Sequence, residues 1–430
     1  MPRCHNAVYV AKKAPEVGCD RIIDISRLGI GQPQLLRLNA PQMRIVRLAT
    51  IPFFMLHHLR SQIDSIAAAG HEVILVASPV EGADALERIA GIRFVPIDVP
   101  RGIAPLRDLA ALASMYRLFG SFRPDIVHST TPKAGLLCAV AGFLACVPVR
   151  LHTFTGQQWL ELSGPVRWLS MASDWLIARL NTHCYADSPS QRDFLIAAGL
   201  CRTDAISVLE SGSLAGVDLA RFDAESLAER ARRCRETLAI PRAARVVLFI
   251  GRVTRDKGMV ELADAFSRLK AADPEAYLVV VGPTEPKRDP LPPALLQALE
   301  SDQRIRMIGY DPEPEKYLAM ADLLCLPSYR EGFGNVVIEA GALGVPTIGT
   351  RINGLRDAVV DGVTGLLVPP KDAETLADAL SSLLKDDAKR KQMGNAARER
   401  ARNLFDSRIV NRRVLGEYER LLRSRTRPAK

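Results

Sequence analysis

Apolar and polar positions along this chain fall into two alternating patterns. Short, mostly apolar runs suit strands buried on both faces, and longer stretches with apolar positions every three or four residues suit covering helices. Met43-Arg44-Ile45-Val46-Arg47-Leu48-Ala49 predicts the first strand, with a loop over Thr50-Ile51-Pro52-Phe53-Phe54. A helical pattern over Leu56–Ala69 ends at Gly70, and His71–Ala77 predicts the next strand. Ile92–Val99, Asp125–His128 and Val149–Phe154 continue the strand series. Between them come a helix over Leu106–Phe119 closed by Gly120, and an apolar helix running to Ala145 after a loop over Ser129–Gly135. Ala186–Ser190 leads into a helix that Ser190 caps and Gly199 ends. A second series opens with Arg245–Ile250 and repeats at Ala276–Val281, Ile305–Ile308, Leu323–Leu326, Thr347–Gly349 and Gly365–Val368. Strands alternating with helices build parallel sheets covered on both faces, so the fold class is α/β.

At 430 residues the chain exceeds what one core serves, and two domains of ~150–200 residues account for it. Residues 1–42 carry four prolines, mixed charges and no sustained period, and are expected to be a poorly ordered extension or to precede the true start. Folding is expected to begin at Met43, with a first domain over 43–235 and a second over 236–405 joined through the turn-rich Gly212–Asp218 and the charged 219–244 segment. A last helix over Ile409–Leu422 and a basic tail make up 406–430, expected to pack back toward the first domain.

The chemistry concentrates in two stretches of the second domain. Glu331-Gly332-Phe333-Gly334-Asn335 follows a strand that stops at Pro327 and opens a helical pattern containing Ala340, Ala342 and Leu343. A loop carboxylate, free N–H groups at a helix start and a second carboxylate, Glu339, one turn inside make a polar ligand cradle. Gly251-Arg252-Val253-Thr254-Arg255-Asp256-Lys257-Gly258 sits after another strand and before a predicted helix over Met259–Lys270. Arg252 can fork onto phosphate oxygens and Lys257 adds a point charge, at the strand edge where open α/β sheets bind ligands. An Arg and a Lys flanking a turn are alone more often a solvated surface. Joined to Glu331 and Glu339, about 75 residues on, they favour an anion site.

Together, G-R-x4-K-G and E-G-F-G-x4-E, with seven residues between the carboxylates, resemble the retaining GT-B glycosyltransferases of glycosyltransferase family 4. The resemblance runs from Met43 to the C-terminus and includes MRIVRLATIPFF, GHEVILVAS, GVDLARF and DGVTGLLVPPKD. VHSTTPKAGLL and HTFTGQQW are similar to a narrower branch that adds sugars to polyprenyl-diphosphate-linked or surface-polysaccharide acceptors, lipopolysaccharide included. It implies two Rossmann-like doubly wound domains facing across a cleft, the first binding the acceptor and the second the nucleotide-sugar. It also implies roles: Arg252 and Lys257 on the donor diphosphate, Glu331 on the transferred sugar, and backbone N–H groups of Phe333, Gly334 and Asn335 on sugar or phosphate. Glu339 would accept the ribose hydroxyls. His128 would approach the sugar from the acceptor side as a catalytic residue, with Lys133 and Gly156 as further donor or acceptor contacts. UDP is the nucleotide the resemblance favours, and the configuration at the transferred carbon would be retained.

The remaining features bound this picture. No D-x-D sequence is present, and two cations at the diphosphate can replace a metal, so no metal or other cofactor is expected. Eight scattered cysteines without a C-x-x-C pair fit reduced thiols. No apolar run approaches the ~20 residues of a membrane span, and no secretory h-region stands near the start, so a cytoplasmic protein is expected. The net charge of +9 decides nothing alone, but the charges are dispersed and aromatics are only 6%, which disfavours a nucleic-acid partner. All three tryptophans lie in Gln157–Leu180. Trp168 and Trp175 share a helical face, either a core face against the sheet, slightly favoured, or an interfacial face near Arg167 and Arg179 for peripheral membrane contact and a lipid-linked acceptor. A dinucleotide oxidoreductase is disfavoured because no strand leads into G-x-G-x-x-G, while a UDP-sugar epimerase remains the main alternative use of such a fold. Deleting 1–42 is expected to leave soluble, active protein; insoluble or inactive product would refute the expected start at Met43.

Overall fold

The computed structural model describes residues 42–286 and 289–426; the expected extension, apart from Gln42, and the last residues of the basic tail lie outside them. The first sheet contains β1 (Arg44–Leu48), β2 (Glu72–Ala77), β3 (Arg93–Pro96), β4 (Ile126–Thr130), β5 (Val149–Phe154), β6 (His183–Ala186) and β7 (Ile206–Val208). Its seven strands run in the order β3-β2-β1-β4-β5-β6-β7. The second sheet contains β8 (Arg245–Ile250), β9 (Ala276–Val281), β10 (Ile305–Gly309), β11 (Leu323–Leu326), β12 (Thr347–Thr350) and β13 (Gly365–Val368). Its order is β10-β9-β8-β11-β12-β13. Neighbouring strands in both sheets are parallel. Each sheet therefore reverses winding once, at β1/β4 and at β8/β11, and leaves a crevice at the carboxyl ends of those strands.

The helices that matter for the site are α1 (Arg60–Ala68), α2 (Pro105–Phe122), α3 (Pro132–Leu144), α4 (Gly164–Leu180), α5 (Pro189–Ala197), α6 (Met259–Ala272), α7 (Asn335–Ala342), α8 (Leu355–Ala358) and α9 (Ser407–Thr426). Several local expectations need correction. Pro52 does not sit in a loop; it occupies the first position of a short helical turn, where its missing N–H costs nothing, and a π-helical turn over Met55–Leu59 follows before α1. Gly120 does not end α2, which runs on to Phe122; Arg123 ends it with φ of 51° and its N–H on Phe119 O at 2.9 Å. Ser188, not Ser190, caps α5, its hydroxyl accepting from Gln191 N with Pro189 next in line. β4 continues through Ser129 and Thr130 because both pair with β5, which leaves Thr131 as the turn.

The favoured core placement of the tryptophan face also fails. Trp159 is buried, but Trp168 is 70% exposed and Trp175 43% exposed, because α4 turns Asp174 and Ile177 inward instead.

The last helix belongs to the core of the first sheet. Val414, Leu415 and Tyr418 of α9 pack with Ile45, Met55, Leu59 and Ile63, and Asn411 donates to Ser61 O at 3.1 Å. In that layer Arg47 of β1 is fully enclosed. Its Nη1 donates to Tyr418 OH at 2.5 Å and to His128 Nδ1 at 2.9 Å, while Nε and Nη2 have no partner among the described residues. A buried charge supported only by neutral acceptors is sensitive to the loss of either one. Tyr418→Phe is accordingly expected to destabilise the protein by about 1–3 kcal/mol, the range for an orphaned buried polar group, read from urea unfolding. An unchanged midpoint would show that the phenol does not support Arg47.

Candidate active site

The second sheet's crevice is narrow by construction. A Cβ on Gly258 would lie 2.0 Å from Pro327 O, so glycine lets the β8 and β11 ends close on each other, and one on Gly282 would lie 1.8 Å from Gly251 O, where the β9 end meets that of β8. Lys257, after β8, and Glu331, after β11, meet there: Nζ lies 2.6 Å from Glu331 Oε1, and Ser328 Oγ donates to the same oxygen at 2.8 Å. Arg252 and Arg330 both reach Asp256 Oδ2, at 3.2 and 2.9 Å, and the Thr254 hydroxyl donates to Oδ1 at 2.5 Å. Burial alone would push Asp256 up, but the Thr254 hydroxyl and the charges of Arg252, Arg330 and Lys257 outweigh it and hold the carboxyl below its usual range. Three cations thus stand beside the crevice, Lys257 held by Glu331 and Arg252 and Arg330 by Asp256.

Gly334, with φ of 89°, precedes α7 as its cap and turns the chain so that the helix starts at the crevice. The N–H groups of Phe333, Gly334 and Asn335 have no protein acceptor among the described residues. One turn on, burial pushes Glu339 up to about 7, with Arg221 opposing and Glu315 reinforcing; its carboxylate has no hydrogen-bonding partner among the described residues. The arrangement offers cations, helix-start donors and a half-buried carboxylate around one space, a set suited to an anionic, hydroxyl-rich ligand.

The first domain reaches the same loop. A Cβ on Gly332 would stand 2.6 Å from Thr155 O and 2.7 Å from Asp187 Oδ2, and one on Gly156 3.4 Å from Gly332 N. Further links are Ser213 Oγ to Asn335 Oδ1 at 3.0 Å, Gly354 N to Ser190 Oγ at 2.8 Å, Ser190 N to Asp357 Oδ2 of α8 at 2.9 Å, and Arg330 to Glu161 at 3.4 Å. Lys257 and Glu331 are therefore brought together with Arg252 tethered nearby through Asp256, Gly156 stands against Gly332 of the same loop, and Phe333, Gly334 and Asn335 carry that loop into α7, one turn before Glu339.

Residues 231–400 match the family described as Glycosyl transferases group 1, and residues 55–212 the Glycosyl transferase 4-like domain. Each half of the chain thus matches a glycosyltransferase domain, and the two are joined in a GT-B fold. It is 29% identical to the capsular polysaccharide biosynthesis glycosyltransferase CapM of Staphylococcus aureus, over 85% of this chain and 94% of that one. It is 40% identical to a D-inositol 3-phosphate glycosyltransferase of Corynebacterium efficiens, over 46% of this chain and about half of that protein's length (47%). In three dimensions it resembles a Rickettsia africae glycosyltransferase, with a TM-score of 0.72, 22% identity and coverage of 89% and 99%. The Anabaena protein HepE in complex with UDP and glucose gives 0.73, 20%, 87% and 99%.

Two expected contacts of this glycosyltransferase do not reach the cleft. His128 is enclosed: Nδ1 takes the Arg47 N–H and lies 2.6 Å from Tyr418 OH, and Nε2 pairs with Thr153 Oγ1 at 2.8 Å. Burial, then Arg47 and His152, holds its pKa well below the usual histidine range, so it is a neutral core group with both ring nitrogens committed. The strand position was right for a site, but alternation along β4 points this side chain into the layer under α9. Lys133 pairs with Asp108 at 2.6 Å and donates to Gly102 O, which commits it to α2.

Conversely, the structure adds Asp187 and Gln157. Asp187 Oδ1 and Gln157 Nε2 are buried without partners among the described residues, beside the Gly156–Gly332 contact, and Gln191 links the two residues. Such open polar atoms at a cleft are where substrate hydroxyls are accepted or met. Gln157 lies inside the HTFTGQQW stretch, while nothing in sequence marked Asp187. Burial pushes the Asp187 carboxyl up from 3.8 to about 8. Between those values the folded chain holds a proton that the unfolded chain has released, so stability falls as pH rises through that window. Asp187→Asn is expected to flatten that fall, measured as urea midpoints at about pH 5 and about pH 8; an equally steep fall in the variant would refute it.

Proposed function

We propose that the chain is a retaining glycosyltransferase that moves a hexosyl or N-acetylhexosaminyl group from a UDP-sugar. The acceptor is a glycan or a polyprenyl-diphosphate-linked glycan in cell-surface polysaccharide synthesis, reached at the cytoplasmic face of the membrane. The observation that carries this is the meeting of Lys257 and Glu331 at the β8/β11 crevice, with Arg252 close by and the α7 start beside them. CapM's role in capsular polysaccharide biosynthesis and the UDP and glucose bound by HepE support the substrate classes.

In this reading the donor diphosphate takes over Lys257 and Arg252 from their carboxylates. The acceptor's hydroxyl oxygen bonds to the sugar's anomeric carbon as that carbon's bond to the diphosphate oxygen breaks, and the hydroxyl proton passes to the departing UDP; the negative charge that grows on UDP is stabilised by the two cations without a metal. Glu331, released from Lys257, faces the sugar hydroxyls, and the N–H groups at 333–335 meet the sugar or phosphate. Glu339 accepts the ribose hydroxyls, which a carboxylate does for two donors at once. The cleft between the domains excludes water during transfer.

The test is mass spectrometry of products after offering the purified protein UDP- and GDP-sugars with a membrane lipid extract. Transfer from one UDP-sugar, undiminished by EDTA, is expected; an isomerised donor with no transfer would favour an epimerase instead. Lys257→Ala and Glu331→Ala are each expected to lower transfer by roughly 100-fold or more, the scale of losing one transition-state contact. Full activity in either variant would overturn the assignment.

A further inference from the structure

Strands β5 and β6 are neighbours, with Phe154 beside Ala186, so the residues that follow them leave the sheet side by side. These are Thr155, Gly156 and Gln157 after β5 and Asp187 after β6. Their frame is closely tied. Asp187 N donates to Phe154 O at 3.2 Å and to Gln191 Oε1 at 2.9 Å, and Asp187 O accepts from Ser213 N at 2.8 Å. Gln191 Nε2 in turn donates to Gln157 Oε1 at 3.4 Å. Gln191, on α5, therefore fixes both the β6 end and the Gln157 amide.

Two polar atoms of this frame stay unused. Asp187 Oδ1 and Gln157 Nε2 are sealed from water and have no hydrogen-bonding partner among the described residues. Asp187 is 9% exposed and Gln157 3%, and burial is the one cause that shifts the Asp187 carboxyl, with no cation opposing it. Orphaned polar atoms of this kind cost stability unless something from outside meets them. Their position narrows what that is. A Cβ on Gly332 would stand 2.7 Å from Asp187 Oδ2 and 2.6 Å from Thr155 O, and Gly332 directly follows Glu331. Asp187 belongs to the first domain and Gly332 to the second. Parting of the domains therefore uncovers the carboxyl, and closure encloses what has bound to it.

The chemistry of the two atoms selects the ligand. With burial raising the carboxyl to about 8, it is mostly protonated at neutral pH, one oxygen donating and the other accepting. Gln157 Nε2 only donates. A metal ion would meet an uncharged carboxyl and an N–H where it needs a lone pair. An anion would meet no positive charge on either residue. A hydroxyl fits, because it donates to one partner and accepts from another. Sites that hold a substrate hydroxyl with buried polar groups also reject analogues that lack it.

We propose that Asp187 and Gln157 read one hydroxyl of the transferred sugar, which donates to Asp187 Oδ1 and accepts from Gln157 Nε2. Glu331 on the second domain and this pair on the first then grip the sugar from opposite walls, with Gln191 as a positioning residue for the pair. The assignment rests on the transferase reading and extends it, because sugar selection becomes a property of the first domain as well as the second. Sugars that differ only at that hydroxyl, by inversion or by its loss, are told apart there.

The test is calorimetry of the full chain with UDP alone and with UDP-glucose, UDP-galactose and UDP-N-acetylglucosamine. Wild-type protein is expected to bind UDP and at least one of the three UDP-sugars. Asp187→Leu is expected to weaken the tightest-bound UDP-sugar about tenfold and to leave UDP within about twofold, the scale of one lost hydrogen bond on the sugar alone. Asp187→Asn keeps an acceptor and a donor in the same place and is expected to recover most of that loss. Gln157→Leu removes the amide donor and carries the same expectation, so the test stands if circular dichroism shows Asp187→Leu unfolded. No UDP binding by wild type would overturn the transferase reading and this assignment with it. UDP binding with unchanged UDP-sugar affinity in both leucine variants would overturn the assignment alone; slower transfer to a membrane lipid extract would then place the pair on the acceptor. Equal weakening of UDP and the UDP-sugar would show a merely structural role and also overturn it.

Discussion

The ion pair between Lys257 and Glu331 is the interaction on which the site depends. It joins two strand ends that are neighbours only because the second sheet changes winding direction between β8 and β11. The same closeness demands glycine at 258, whose place against Pro327 O no side chain could share. Both charges are largely withdrawn from water, so neither is comfortable alone. The pair holds the Lys257 ammonium at the crevice. Arg252, tethered to Asp256, repeats the device one turn away. The carboxylates thus satisfy these cations, and an anion binding there would have to offer more than Glu331 and Asp256 do.

Opposite that loop, the first domain presents backbone more than side chains. Thr155 O, Gly156 and the Asp187 carboxyl sit so close to Gly332 that a methyl group there would not fit. The Ser188-capped start of α5 adds Ser190, which both donates to Asp357 and accepts from Gly354. The two domains therefore meet through the shape of the loop around Gly332, and anything that moves Gly332 moves Glu331 with it.

Much of this was legible in sequence because the decisive residues are local. Apolar runs of β-branched and leucine residues placed most of the strands, since a strand covered on both faces has little freedom to be polar. The Arg252–Lys257 and Glu331–Glu339 stretches carried their own spacing, so the cleft that joins them could be anticipated. What was not legible depended on distant partners. His128 looked available at a strand end until α9, 290 residues away in sequence, supplied Tyr418 to cover it. The tryptophan helix looked like core until its inward face proved to be Asp174 and Ile177. The three-residue β7 was too short to show a period. Asp187 had no sequence signal because its character comes wholly from what surrounds it.

The return of α9 to the first sheet has a consequence for biosynthesis. Arg47 leaves the ribosome 371 residues before the phenol that supports it. Until the final helix emerges, the first sheet lacks one covering layer, exposes Ile45 and Leu59, and holds a guanidinium with half its support. The first sheet's last covering layer therefore follows the whole second domain in the order of synthesis.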